Sequence, residues 1–242
     1  MWASSLGSGT PGKRDPMTDD ERYAQWQAWI KRIRGDVQNV LHRRQVFREV
    51  WEIIGANPRI QKPSAFYSWM KSVYAAASVM GVRRQVDTDR DAISLRKLIL
   101  DIRANPGALS RERHIALYPD HLHYLAHRGF DRLAEPGGAY IDGWNVQNDV
   151  TRLQKTTHAL ERFATKRVAH LDPEDPRIAA HVELVELDAA LDLLEELVKK
   201  YCKLLLAEGG EIVPVIQYDW KAIFQEPWIP PRAAAPQLRA GG

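Results

Sequence analysis

Cysteine is almost missing from this chain: Cys202 is its single example in 242 residues. That excludes an internal disulfide and any zinc site built on cysteines, and it fits a reducing compartment. Set beside Leu204, Leu205 and Leu206, Cys202 reads as a buried small hydrophobe rather than a nucleophile. Long apolar runs are missing too; none approaches the ~20 residues of a membrane span. The opening stretch, MWASSLGSGTPGKRDP, lacks the apolar core of a secretory signal. These absences predict a soluble, cytoplasmic protein with no membrane partner. An excess of one charge is also lacking, since 34 Lys and Arg stand against 31 Asp and Glu, a net charge of +3. Such a balance does not demand a nucleic-acid partner, although it leaves room for a local basic patch. There is no Gly-rich phosphate loop, no HExxH pair and no Ser-His-Asp set that can be placed.

What is present is helical periodicity. Residues 1–16 are rich in Gly, Ser and Pro, which predicts a disordered leader. Thr18 and Glu21 then have the spacing of a capping box. Tyr23, Trp26, Ile30, Ile33, Val37, Val40/Leu41, Phe47, Trp51 and Ile54 form one apolar stripe on a long first helix, ending at Gly55 and Pro58. A gap at Arg43-Arg44 leaves room for a buried or site-facing arginine. Ser64 opens a second helix with Phe66, Trp69, Met70, Val73, Tyr74, Ala77 and Met80 as its apolar positions; Ala75–Ala77 suggest a close helix approach. A third carries Ile93, Leu95, Leu98, Ile99 and Ile102, and one or two broken pieces cover 110–134. Residues 145–170 and 177–207 read as further helices, the last acid-fronted and base-ended as the helix dipole favours. The aromatic, Pro-rich segment 209–242 is expected to pack on the bundle as far as Trp228, with its last residues disordered. Alternation of period two is scarce, Ile212–Tyr218 being the one short candidate. The expectation is an all-α bundle of five to seven helices over residues 17–208, with long first and last helices and no internal repeat.

The stretch ATKRVAHLDPED, Ala164 to Asp175, places two bases, a histidine and an acid where a helix breaks at proline. On local grounds alone, Lys166, Arg167 and His170 are helix-end charges that complement the dipole. Lys166-Arg167-Val168-Ala169-His170-Leu171-Asp172 also resembles the helix-end motif of the HEPN superfamily. The long aromatic first helix, Val82-Arg83-Arg84-Gln85-Val86-Asp87 and Ile93-Ser94-Leu95 are similar to its abortive-infection AbiU-like branch, in order, over roughly residues 20–205. The resemblance implies a bundle that often forms a homodimer, with two helix-end motifs facing one groove. It implies a metal-independent endoribonuclease without a cofactor, or a descendant that binds RNA or protein without cutting. The setting would be bacterial phage defence or a toxin–antitoxin system, with an antitoxin or another defence protein as partner. His170 would shuttle the proton, the role that suits an imidazole near neutral pH. Arg167, with Arg162 or Lys166, would hold the phosphate, and Asp172 would orient the imidazole. The family's arginine has four to six residues between it and the histidine. Those positions here are Thr165, Ala164 and Phe163, so either Arg167 or Arg162 stands in or the site is degenerate.

Two other constellations compete. Arg152 and His158 match the family spacing literally, but about two such matches are expected by chance in a chain this rich in both residues, so one is uninformative. His123 and His127, four apart with Asp120 on the same expected face, have the composition of a zinc or iron site in a metal-dependent hydrolase. Packing or solvation accounts for them equally well, as no second group of ligands is evident. The eight tryptophans lie mostly on apolar stripes and are expected in the core or an interface rather than as a base-stacking platform. The basic runs Lys31-Arg32-Ile33-Arg34 and His42-Arg43-Arg44 are expected on a solvated face.

Overall fold

The computed structural model describes residues 16–164, 184–213 and 215–228. Among the described residues there are seven α-helices: α1 (Asp19–Ala56), α2 (Ala65–Val86), α3 (Leu95–Ala104), α4 (Arg111–Ile115), α5 (His123–Phe130), α6 (Gly143–Phe163) and α7 (Leu184–Leu206). No strand occurs among them beyond an isolated bridge between Ser110 and Tyr140, so the all-α expectation holds and the strand candidate at Ile212–Tyr218 does not. No helix among the described residues is long and apolar enough to cross a membrane. The expected leader, apart from Pro16, and the residues after Trp228 lie outside the described residues.

Local chemistry opens the helices where the sequence places their caps. Thr18 and Glu21 make both bonds of the capping box at the start of α1. Ser64 caps α2 on the Phe66 amide, and Ser94 caps α3 on the Lys97 amide. Asp142 does the same for α6 on Trp144.

Helix α7 is the axis of the bundle. It runs antiparallel to α1, whose Tyr23 hydroxyl donates to the Leu205 carbonyl at one end while Arg48 pairs with Asp188 at the other. It is also antiparallel to α6: Arg152 pairs with Glu196, and Asp149 accepts from Lys200 and Tyr201. Trp26, Ile30, Ile33, Val37 and Leu41 of α1 enter the core with Leu187, Leu191, Leu194, Leu197 and Val198 of α7 and Leu153 and Leu160 of α6. Arg44 fills the gap in the α1 stripe. It is buried, and it reaches Asp192 at 2.5 Å and Glu195 at 3.2 Å.

The stripes on α1 and α2 are core-facing for only part of their length. Phe47, Trp51 and Ile54 are half-buried, and Phe66, Trp69 and Val73 are exposed, Trp69 by 60%. Periodicity records which residues share a face and not how far the neighbouring helix extends. The last turns of α1 project past Arg48, the level at which Asp188 lies in the first turns of α7. There they meet the start of α2 and the returning C-terminal segment instead. That segment reverses after α7, with Ala207 and Gly210 at positive φ. It then pairs Glu211 with Lys199 and Lys221 with Glu49, and reaches Phe66 through Trp228. The buried face of α2 is Tyr74, Ser78, Val79, Gly81, Val82, Gln85 and Val86. The close approach is at Gly81, where an added Cβ would meet Val40; Ala75–Ala77 are half-buried.

Candidate functional site

Of the helix-end set, only Arg162 is described; Lys166, Arg167, His170 and Asp172 lie outside the described residues. Arg162 is exposed on the last turn of α6. Arg152 makes two 2.7 Å bonds to Glu196 of α7, which hold both groups in their charged forms. His158 is exposed, and at six residues' spacing it sits roughly 120° around α6 from Arg152. The literal spacing match therefore brings no site together.

The metal reading of Asp120, His123 and His127 needs correction, because the local chain is not one helix. Asp120 belongs to a separate 3-10 turn, and α5 begins only at His123. The His123 Nε2 lies 3.0 Å from the Tyr118 carbonyl and 3.6 Å from the Asp120 carboxylate. A bond to that carbonyl makes Nε2, the nitrogen nearest Asp120, a donor and leaves the ring's lone pair on Nδ1. Among the described residues no three His, Cys, Asp or Glu side chains are arranged to hold a metal ion.

The structure instead brings together a set that periodicity does not reveal. Ser110 caps α4, and Arg111 ties that helix down by donating to the Gly138 carbonyl at 2.7 Å and pairing with Asp131 at 2.7 Å. His114 is thereby turned inward between Tyr118 and Phe130, with 1% of its surface exposed. Its Nδ1 lies 2.9 Å from the Leu204 carbonyl. That carbonyl is in the final turn of α7, where helix carbonyls have no partner of their own. A carbonyl only accepts, so Nδ1 carries the hydrogen and the neutral ring keeps a lone pair on Nε2. Nε2 is buried and has no hydrogen-bond partner in the protein.

Beside it lies a cavity of about 300 Å³ lined by His114, Gly129, Arg132, Leu133, Lys200 and Lys203. Gly129 keeps it open: a Cβ there would sit 3.8 Å from His114 Nε2 and 3.9 Å from Lys203 Cε. Lys200 is partly neutralised by Asp149 at 2.6 Å. Arg132 and Lys203 are exposed and have no ion-pair partner among the described residues. The Asp142 amide donates to the Leu133 carbonyl at 2.7 Å, which sets Trp144, 71% exposed, on the chain next to Arg132. The arrangement can hold an anion against two uncompensated cations, with the His114 ring as a hydrogen-bond acceptor in the same wall. The usable cue in the sequence is Gly129, a glycine inside a helical stretch with no local reason for it.

Burial pushes the His114 imidazole below its ordinary pKa, with Lys203 and Arg111 adding repulsion against the Leu204 bond that opposes the shift. The folded protein therefore binds this proton less readily than the unfolded chain. Stability contributed by the neutral ring is present above about pH 6.5 and is lost as pH falls from there towards the lower folded value. Urea midpoints at pH 7.5 and 5.5 are expected to fall less in His114→Gln than in the natural protein. Equal falls would show that His114 has no part in the acid sensitivity.

Cys202 is buried and its thiol is pushed up to about 11, chiefly by burial, which matches its reading as an unreactive hydrophobe. Comparison of the chain with protein-family models, with curated proteins and with solved structures finds no match.

Proposed function

We propose that this protein binds single-stranded RNA through its phosphates, at the basic cavity between α5 and the end of α7. The observation that carries the reading is the convergence of unpaired Arg132 and Lys203 with Lys200 on a recess floored by His114. Phosphate oxygens are held by such cations, and bases stack on exposed rings beside them. Trp144, 71% exposed near the start of α6, is the ring proposed for that stacking. The resemblance to the HEPN superfamily supplies the substrate class and the setting of a bacterial defence or toxin–antitoxin system. It also supplies the homodimer and an antitoxin or other defence protein as partners.

The same resemblance makes cleavage an extension of binding, with His170 as proton shuttle and Arg167, Arg162, Lys166 and Asp172 around it. Arg162 is thirteen residues along α6 from Asp149, the neighbour of Lys200, or roughly 20 Å. Arg162 thus stands apart from the cavity, and binding there does not require chemistry at the helix end.

The test is the salt dependence of binding to a fluorescent single-stranded RNA. The double variant Arg132→Ala/Lys203→Ala is expected to weaken binding at least tenfold at physiological salt. It should also lower the slope of log K against log salt by about 1.4, the value for two lost phosphate contacts on a single strand. An unchanged slope would remove the cavity from the reading. Incubation with total RNA in EDTA, beside His170→Ala, separates the two forms of the function. Cutting by the natural protein alone makes it a ribonuclease, and binding without cutting leaves it a binding module.

A further inference from the structure

We infer that the cavity beneath Gly129 selects a terminal phosphomonoester of the RNA strand over the phosphodiesters within it. This rests on the RNA-binding reading and adds which phosphate the recess takes. Three features point the same way. The first is charge. Arg132 and Lys203 leave about two positive charges unmatched at the cavity, while Lys200 is shared with the Asp149 carboxylate behind it. A phosphate monoester carries about −1.5 to −2 near neutral pH, whereas each backbone diester carries a single charge.

The second is the direction of the hydrogen bond at the floor. His114 Nδ1 is committed to Leu204, so the neutral ring presents a lone pair at Nε2, and that atom has no partner in the protein. The groups around it are Lys203 and Arg111, the Tyr118 and Phe130 rings, and the Leu204 carbonyl. A diester has only acceptor oxygens and meets that lone pair with repulsion. A monoester has a second pKa near 6, so its monoanion has a P–OH that can donate to Nε2. No covalent step is involved.

The third is shape. A backbone phosphate must admit chain on both sides, which suits an open groove. The recess here, about 300 Å³, has His114 and Leu204 in its lining, and a Cβ added at Gly129 would stand in ordinary contact with His114 Nε2 and Lys203 Cε. Only a chain end presents a phosphate with three free oxygens to such a space.

The test uses one RNA sequence in three forms, with a 5′-phosphate, with a 3′-phosphate, and with hydroxyls at both ends, titrated by fluorescence anisotropy against the whole chain. One phosphate-ended form is expected to bind at least tenfold more tightly than the hydroxyl-ended form. Gly129→Ala, whose new methyl makes only ordinary contacts, is expected to erase that preference, read as the ratio of phosphate-ended to hydroxyl-ended affinity within the same variant. Should that variant fail to fold, Lys203→Met takes its place and is expected to remove the preference as well. Equal binding of all three strands, still dependent on Arg132 and Lys203, would overturn the end selection and leave RNA binding standing. A preference that survives Gly129→Ala would place the end elsewhere and overturn the assignment. Failure to bind any strand would overturn both readings. Inorganic phosphate and adenosine 5′-monophosphate as competitors separate the sources. Competition only at concentrations far above the strand's Kd supports a strand end, whereas competition at that same concentration assigns the cavity to the free anion.

Discussion

Asp149→Ala is expected to destabilise the protein by about 3 kcal/mol or more, a large share of the 5–15 kcal/mol that a domain of this kind possesses. Asp149 is 2% exposed at the middle of the α6–α7 contact, and one carboxylate oxygen accepts from Lys200 Nζ at 2.6 Å and from the Tyr201 hydroxyl at 2.8 Å. Truncation leaves two groups stranded with different consequences. Lys200 keeps about a quarter of its side chain in water and can rehydrate, so its share of the loss is small. Tyr201 cannot: it is buried, and burial together with the Asp149 carboxylate pushes its hydroxyl well above the usual range, so it stays a neutral donor. A buried donor left without an acceptor costs about 1–3 kcal/mol by itself. Asp149→Asn retains an acceptor for that hydroxyl and is expected to lose about half as much. Urea denaturation of Asp149→Ala, Asp149→Asn, Tyr201→Phe and the double variant decides it. A loss below about 1 kcal/mol in Asp149→Ala would mean that the network does not hold the two helices together. Asp149→Asn also frees Lys200 at the cavity, so its RNA affinity is expected to rise even as its stability falls.

This network, like the cavity beside it, shows where sequence reading reaches its limit. Caps are local chemistry, and Thr18, Glu21 and Ser64 could be read directly because each acts within three residues of itself. Helix faces are nearly local, so Trp26 through Leu41 fell on the core side as their spacing requires. What periodicity lacks is the identity and reach of the neighbour. For that reason Phe66, Trp69 and Val73 follow a core pattern yet stand exposed. The site residues divide in the same way. Asp120, His123 and His127 are close in sequence, and His123 lies 3.6 Å from Asp120, yet no three such side chains are arranged for a metal among the described residues. His114, Gly129, Arg132 and Lys203 come from three helices and a turn, and nothing in their spacing joins them. A residue-by-residue reading finds motifs that one helix carries. It does not find a recess whose floor, wall and charge arrive from separate elements.

Gly81→Ala puts that limit in its sharpest form, because local and tertiary physics predict opposite signs. By helix propensity the change should stabilise by about 1 kcal/mol, since glycine inside a helix costs roughly that much against alanine. The packing predicts otherwise. A Cβ on Gly81 would lie 2.5 Å from Val40 Cγ2, 3.2 Å from Cγ1 and 3.5 Å from Cβ. Val40 is buried on α1, and a β-branched side chain in a helix has essentially one rotamer, so it cannot swing aside. The helices must instead move apart, which would strain the Arg84–Asp36 bond of 2.7 Å and the Gln85–Asp36 bond of 2.6 Å that bridge α2 to α1 nearby. Overpacking costs about 1–3 kcal/mol, and a 2.5 Å contact on a side chain that cannot turn belongs in the upper half of that range, so after the propensity gain a net loss of about 1–2 kcal/mol is expected. Val40→Ala alone should also destabilise by opening a cavity, within the usual range of about 0.5–3 kcal/mol. The double variant is the decisive measurement: the alanine at 81 then occupies the space left at 40, and its loss should fall short of the sum of the two single losses by more than about 1 kcal/mol. A neutral or stabilising Gly81→Ala, or strict additivity, would show that α1 and α2 are free to adjust at this crossing. The α1–α2 contact would then not be what fixes the position of Arg84.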